Sequence, residues 1–388
     1  MTAPWPCFTE EEQEAAARVI GSNRVNYWTG DEARKFEREF AQWVGSAKAV
    51  AVANGTLALE VALKALGIGP GDEVIVTPRT FLASVSCVVN QGATPVFADV
   101  DRDSGNITPA TVQAVLTKRT RAVIPVHLGG WPCDMPGFRA LADDAGFAII
   151  EDCAQAHGAT IDGRNVGSFG DIGAWSFCQD KIITTGGEGG MVNTDDPELW
   201  SRMWSFKDHG KSFEAMESKD HAPGFRWVHE SFGSNYRMLE VQAAIGRIQL
   251  RRLADWHARR TANAEQLTAA LLQFPGAIRV PLPPAGFEHA YYRLYAYVKP
   301  DGLAPSWDRD RIVSALNQRG LPAFQGSCSE VYLEKAFDGA GLRPLQRLPA
   351  AMELGETSIA LLTHPTLTPA DIAAATRAIE SVFAEAAA

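Results

Sequence analysis

The sequence predicts an α/β protein: a mostly parallel β-sheet covered by helices over residues 1–250, then a smaller α+β domain over 251–388. Three observations carry that expectation. From residue 48 onward, short apolar runs alternate with helix-patterned stretches, as strands buried on both faces require. The alternation stops near residue 250, where the long helical pattern "EVQAAIGRIQLRRLADWHARRTANAEQLTAALLQ" leads into a region of different texture. A chain of 388 residues also exceeds what one compact core ordinarily holds.

Taken in order, "TEEEQEAAARVIG" opens with Thr9 and Glu12 at capping-box spacing and stops at Gly21. A second helix is predicted from about Asp31 to Val44, with Phe36, Phe40 and Trp43 on one face. "KAVAVA" (48–53) reads as a strand and "TLALEVALKALG" as a helix ending at Gly67. "EVIVTP", "PVFADV", "RAVIPVH" (121–127) and "FAIIED" (147–152) read as further strands, with helical "FLASVSCVVNQG" and "MPGFRALADDAG" between them. Past residue 250, "HAYYRLYAYVKP" (289–300) is a longer, aromatic, alternating strand, and "RDRIVSALNQRG" and "TPADIAAATRAIESVFAEAAA" are amphipathic helices. The polar stretch from Asp208 to Pro223 reads as a mobile surface loop.

Composition narrows the function classes. Hydrophobic content of 46% and charged content of 21% describe a soluble globular protein. A formal net charge of -10 argues against a nucleic-acid or anionic-membrane partner, while leaving room for a small anionic ligand at a local site. The six cysteines are scattered, with no C-x-x-C pair and no His/Cys cluster at metal spacing, so no metal site and reduced thiols are expected. With neither a signal peptide nor a membrane-length apolar run, the expected location is the cytoplasm.

Ligands of open α/β sheets bind beyond the carboxyl ends of the strands. Four features fall there. Asn54, Gly55 and Thr56 follow the first strand and open a helix, a place that attracts phosphate, although a plain N-cap explains them equally well. Glu151 and Asp152 end the strand 147–152, and Phe81 follows "EVIVTP". "AWSFCQDKIITTGGEGGM" (174–191) supplies Ser176 and one lysine, Lys181, ahead of Gly186, Gly187, Gly189 and Gly190. A lysine usually belongs to the solvated surface. Together with a phosphate cradle, a carboxylate and an aromatic face, this one answers the needs of pyridoxal 5'-phosphate. That cofactor requires a lysine amine for its aldehyde, a carboxylate for its ring nitrogen, apolar faces and phosphate donors.

The motifs "NGTLALEVAL", "TPRTFLAS", "PVHLGGWPCDM", "IIEDCAQAHGA", "GSFGDIGAWSF", "TTGGEGGMV" and "GSNYRMLEVQAAIGRIQL" occur in an order that resembles the DegT/DnrJ/EryC1/StrS sugar aminotransferases. These are pyridoxal-phosphate enzymes of fold type I, the aspartate aminotransferase-like class. The resemblance runs from about residue 25 to the end. It implies that Lys181 bonds to the cofactor and later moves protons, that Asp152 pairs with the ring nitrogen, and that Gln155 meets the ring hydroxyl. Phe81 would stack on the ring, and Gly55, Thr56 and Ser176 would bind the phosphate. Asn235 would reach the phosphate from a neighbouring subunit, making the site a property of a homodimer. Arg237 would help locally or form a structural salt bridge, and Tyr27 and Trp28 would lie near the partner's site. The implied reaction moves an amino group from glutamate or glutamine to a keto sugar, most often a nucleotide-linked 3-keto or 4-keto deoxyhexose.

Other readings are weighed on residues. Relatives that remove a hydroxyl carry histidine where Lys181 stands. "GLPAFQGSCSEVYLEKAF" departs from the segment expected of nucleotide-sugar enzymes, which leaves open a keto sugar acid, cyclitol or aminobenzoate-type acceptor. A non-catalytic cofactor-binding regulator would show damage in these motifs, and a dinucleotide enzyme would need G-x-G-x-x-G between a strand and a helix. His127, His157 and His364 read as structural histidines.

Overall fold

The computed structural model describes residues 4–218, 220 and 224–388. Helix α1 (Glu10–Gly21) begins where expected, with the Thr9 amide donating to Glu12 Oε2 at 2.6 Å. Helix α2 (Glu32–Val44) is capped from far away: Glu240 Oε2 accepts the Glu32 amide at 2.5 Å and Oε1 that of Ala33 at 3.3 Å. Strand β1 (Lys48–Val52) then leads into α3 (Gly55–Ala65), whose N-cap Asn54 accepts the Leu57 amide through Oδ1 at 3.0 Å. The alternation continues through β2 (Glu73–Val76), α4 (Ala83–Asn90), β3 (Thr94–Phe97), the short α5 (Pro109–Gln113), β4 (Thr120–Ile124), α6 (Met135–Ala145) and β5 (Ala148–Asp152). Strand β4 ends before Pro125, which has no N–H for the ladder, so the predicted run to His127 is too long. A small hairpin, β6 (Thr160–Ile161) with β7 (Arg164–Asn165), precedes β8 (Ile172–Ser176) and β9 (Gly190–Thr194).

The main sheet has seven strands in the order β1-β9-β8-β5-β4-β2-β3. Only β9 opposes the rest, pairing antiparallel with β1 and β8. The shared direction of the others brings the ends of β1, β2, β5 and β8 to one rim, each preceding a residue singled out above.

Helices α7 (Pro197–Lys207), α8 (Phe213–Glu217) and α9 (Glu240–Leu271) follow. Helix α9 passes through residue 251 unbroken. Its first turns pack on α1 and α2, and Leu267 and Leu271 join a second core. That core lies on an antiparallel sheet, order β10-β12-β14-β13, made of β10 (Ile278–Arg279), β12 (Leu294–Val298), β13 (Ala323–Phe324) and β14 (Ser358–Leu361). Strand β11 (Phe287–Glu288) instead pairs with β6. Helices α10 (Arg309–Gln318) and α12 (Pro369–Ala386) cover the second sheet with Ile312, Leu316, Ile379, Val382 and Phe383, and α11 (Pro349–Thr357) packs toward the first. Val331, Tyr332 and Phe337 return to the first core, Tyr332 with its ring 5.3 Å from that of Phe97. No helix among the described residues is long and apolar enough to cross a membrane.

One predicted element is overturned in part. The stretch 208–218 is anchored: Asp208 is buried and paired with Arg237 at 2.8 Å, and Phe213 of α8 packs on Trp200 and Trp204. An aromatic foothold outweighs the polar composition there. Residues 219 and 221–223 of the same stretch lie outside the described residues.

Candidate active site

The strand ends meet around a cavity of about 640 Å³ lined by Asn54, Gly55, Thr56, Phe81, Asp152, Gln155, Ser176 and Lys181, among others. Of the predicted site residues only Asn235 does not line it. Gly55 is required sterically, since a Cβ there would sit 2.5 Å from Ser176 Cβ. The first amides of a helix have no intrahelical partner. Asn54 takes that of Leu57, and Gly55 and Thr56 line the cavity.

Lys181 is held by its neighbours in sequence and from a distance. Its amide closes a turn on the Cys178 carbonyl at 3.1 Å, Ile182 and Ile183 are fully buried behind it, and Thr184 is tied to Gln249 of α9 at 2.9 Å. Trp5 donates its indole N–H to the Lys181 carbonyl at 3.0 Å. Gly186 (φ 84°) and Gly187 (φ 120°) take left-handed backbone that other residues resist, which turns the chain back into β9. The side chain, 16% exposed, places Nζ 3.7 Å from Asp180 Oδ1 and 5.0 Å from the Tyr292 ring centroid.

Glu151 and Asp152 part company because successive residues of a strand face opposite sides. Glu151 accepts the amides of Gly167, Phe169 and Gly170 at 2.7, 2.7 and 2.6 Å. It also receives the N–H of His127 Nε2 at 3.1 Å; the tautomer follows from His127 Nδ1 accepting the Cys133 amide at 2.9 Å. His127, Glu151 and Cys153 thus gather in space as potential metal ligands that no sequence spacing signals. The carboxylate and imidazole are, however, committed to these hydrogen bonds. Asp152 faces the cavity and accepts from Ser84 Oγ at 2.8 Å and the Ala154 amide at 3.1 Å. Burial pushes its carboxyl above the usual range, against the pull of those two donors and of Lys181.

Gln155 accepts the Gly129 amide through Oε1 at 2.7 Å. Phe81 is 72% exposed at the cavity's edge. Asn235 is exposed and bridges backbone to backbone with Asp208. Arg237 forms the structural salt bridge to Asp208. Tyr27 is buried within this chain, accepting from Trp204 Nε1 at 3.1 Å and bonding to Glu37 at 3.2 Å, so its ring serves this core. His157 is buried between Trp175 and Phe177 with neither nitrogen hydrogen-bonded, and burial holds its pKa at about 3.

The model of the DegT/DnrJ/EryC1/StrS aminotransferase family matches residues 6–380. The chain belongs to that family. It is a pyridoxal-phosphate-dependent aminotransferase, and its fold is that of the solved aminotransferases. The UDP-N-acetyl-3-dehydro-alpha-D-glucosamine 3-aminotransferase of Acidithiobacillus ferrooxidans is 39% identical over 353 residues, 90% of this chain and 88% of that one. The dTDP-3-amino-3,4,6-trideoxy-alpha-D-glucose transaminase of Streptomyces venezuelae is 37% identical over 357 residues, 92% and 88%. The crystal structure of an aminotransferase from Psychrobacter cryohalolentis superposes with a TM-score of 0.98 at 60% identity, covering 99% of both chains.

For this aminotransferase, sequence reasoning missed Ser84, Asp180, Tyr292 and Trp5. Ser84 stands three residues beyond Phe81, in the first turn of α4, and that spacing was the available signal. Tyr292 and Trp5 reach Lys181 from 111 and 176 residues away, a distance no local pattern reports (292 − 181 and 181 − 5).

Proposed function

We propose that this aminotransferase transfers an amino group from glutamate or glutamine to the keto carbon, C3 or C4, of a nucleotide-linked deoxyhexose. The observation that carries the reading is one cavity holding Lys181, the buried Asp152 and the Gly55–Ser176 cradle together. The two curated relatives, named for 3-amino groups on UDP- and dTDP-linked sugars, support the acceptor class.

The residues fit pyridoxal 5'-phosphate. A close approach that only glycine permits at position 55, two helix amides and the Ser176 hydroxyl suit a phosphate. A buried carboxylate with two donors and a raised pKa lacks a cationic partner of the kind a protonated ring nitrogen provides. When bound, the cofactor supplies an aldehyde that receives the amine and a ring that draws electrons from the substrate carbon. Asp152 then holds the ring proton, and Ser84 fixes the carboxylate's orientation. Gln155 would meet the ring hydroxyl, and Phe81 would cover one ring face. Lys181 Nζ would hold the cofactor's aldehyde, and its free amine would take and return the proton of the substrate carbon.

Asn235 completes the phosphate site of a partner subunit in this reading. It is exposed, does not line its own cavity, and shares its stretch with Phe225 and Trp227, 79% and 89% exposed. A non-nucleotide acceptor is the second reading. It is favoured by the atypical segment around residues 325–331, which donates the Val331 amide to the Pro78 carbonyl at 2.8 Å and accepts the Thr80 amide at Cys328 O at 3.1 Å, beside Phe81.

The test is the visible spectrum of the purified, cofactor-loaded protein before and after L-glutamate, beside Lys181→Ala. Wild type should be yellow and bleach, and the variant should lack the lysine-bound colour. A wild type that takes up no cofactor would sink the reading. The glutamate-treated form is then offered UDP-, dTDP- and GDP-linked keto sugars and free keto acids, and return of colour identifies the acceptor. Mixing Lys181→Ala with Asn235→Ala subunits should restore one complete site per dimer. No gain over the separate variants would remove Asn235 from the partner's site.

A further inference from the structure

Asp180 lies beside Lys181 in sequence and on the wall of the same cavity, and two groups from elsewhere in the chain converge on it together with Lys181. The Tyr292 hydroxyl donates to Asp180 Oδ2. Arg293, stacked on the Tyr292 ring at 4.3 Å, brings Nη2 to 3.8 Å from the same oxygen. Lys181 Nζ stands 3.7 Å from Asp180 Oδ1 and 5.0 Å from the centroid of the Tyr292 ring, whose electron-rich face attracts a cation. The free lysine amine therefore rests in a prepared place: carboxylate on one side, aromatic face on the other, both fixed by the segment that enters β12.

We propose that Asp180, held by Tyr292 and Arg293, is a positioning residue that docks the Lys181 side chain as an ammonium whenever it is not bonded to cofactor. An aminotransferase frees this lysine in each turnover and needs it back, so a defined resting place keeps the amine within reach of the reacting carbon. The arrangement also ties the chain beyond residue 251 to the chemistry, because Tyr292 and Arg293 come from that part. Burial alone would raise the Asp180 carboxyl, but Lys181, the Tyr292 hydroxyl and Arg293 together hold it below the usual range. The charged and titratable groups acting on this pair are Asp152 and His157 from β5 and its following loop, Cys178 before Asp180, and Tyr292 and Arg293. Among the described residues Asp180 is the carboxylate ion-paired to the lysine, while Asp152 is engaged by Ser84.

The inference rests on Lys181 being the reactive lysine, and its test uses no cofactor. Cofactor-free protein is treated with an amine-acylating reagent over a range of pH, and labelling of Lys181 is followed by peptide mass spectrometry with Lys335 as internal reference. Asp180→Asn should raise the Lys181 labelling rate about two- to fivefold at a given pH, as loss of an ion pair of this kind allows, while Lys335 is unchanged. Tyr292→Phe, which keeps the ring and frees the carboxylate, should shift it less and in the same direction. Profiles that superimpose on wild type in both variants would overturn the dock. Should Asp180→Asn not fold, the Tyr292→Phe profile decides alone. A shifted profile in a protein that takes up no cofactor would leave the dock standing and sink the aminotransferase site instead.

Discussion

The two faces of β5 carry consecutive carboxylates in opposite circumstances. Glu151 is fully buried and accepts three backbone amides and a histidine N–H, which pins the loop 167–170 to the sheet. Asp152, nearly as buried, has two donors and an open side toward the cavity. A buried charge is tolerated when hydrogen bonds or an opposite charge compensate it. Glu151 is compensated by its own chain, whereas Asp152 keeps capacity for something the chain does not supply. In the function proposed above, the difference separates a carboxylate that builds the protein from one that would serve the reaction.

The hardest test of this contrast is Asp152→Asn. Turnover should fall about 100- to 10,000-fold, with no loss of stability in the cofactor-free protein. A second reading comes from pH. The folded carboxyl is raised above its unfolded value, so the folded state holds a proton that the unfolded state has already released. The stability it contributes is complete below the unfolded pKa and is lost as pH rises through the folded one, and the asparagine variant should lack that decline. Urea titrations of wild type and variant at several pH values measure it, and equal activity of the two proteins would break the comparison.

A smaller effect, of the opposite kind, is expected from Glu151→Gln. Its amide would present donors to the Gly167 amide or to His127 Nε2, leaving buried groups unmatched at a cost of about 1–3 kcal/mol. The urea midpoint should drop, while the cofactor colour and glutamate bleaching per folded molecule persist. Loss of colour at full stability would place Glu151 in the chemistry as well.

His157 sharpens the rule, because it is buried with neither nitrogen hydrogen-bonded and yet does not line the cavity. Its pKa is lowered from 6.5 to about 3, by burial and then by Lys181 and Arg260. The unfolded state therefore takes up a proton first as pH falls below 6.5, and stability declines by about 1.4 kcal/mol per pH unit for each such group. His157→Phe should remove one share of that decline and leave activity near neutral pH within a few-fold. His289 and His364, lowered to about 3 and about 4, keep the rest. An inactive His157→Phe that folds normally would show that an unsatisfied group acts on the site even outside the cavity wall.

Most of the seven-stranded sheet was legible in the sequence, since its strands are four- or five-residue runs, largely apolar, whose burial leaves little choice of conformation. Because the fold's direction puts strand ends on one rim, Gly55, Phe81, Asp152, Ser176 and Lys181 could be assigned to it from linear order. The stretch after Asp208 was misread, because Phe213 finds Trp200 and Trp204 only once α7 is folded. The Glu240 cap on α2 escaped notice for the same reason, with partners about 208 residues apart.

By itself, the sequence determined the alternation of elements, the residues at the strand ends and the single lysine among glycines, all features set by near neighbours along the chain. The tertiary structure alone decided which of two adjacent carboxylates faces the cavity, that Ser84 donates to it, and that Tyr292, Arg293 and Asp180 gather beside the lysine. Those outcomes depend on distance and burial between residues far apart in the chain, quantities that come into existence only when the two sheets pack together.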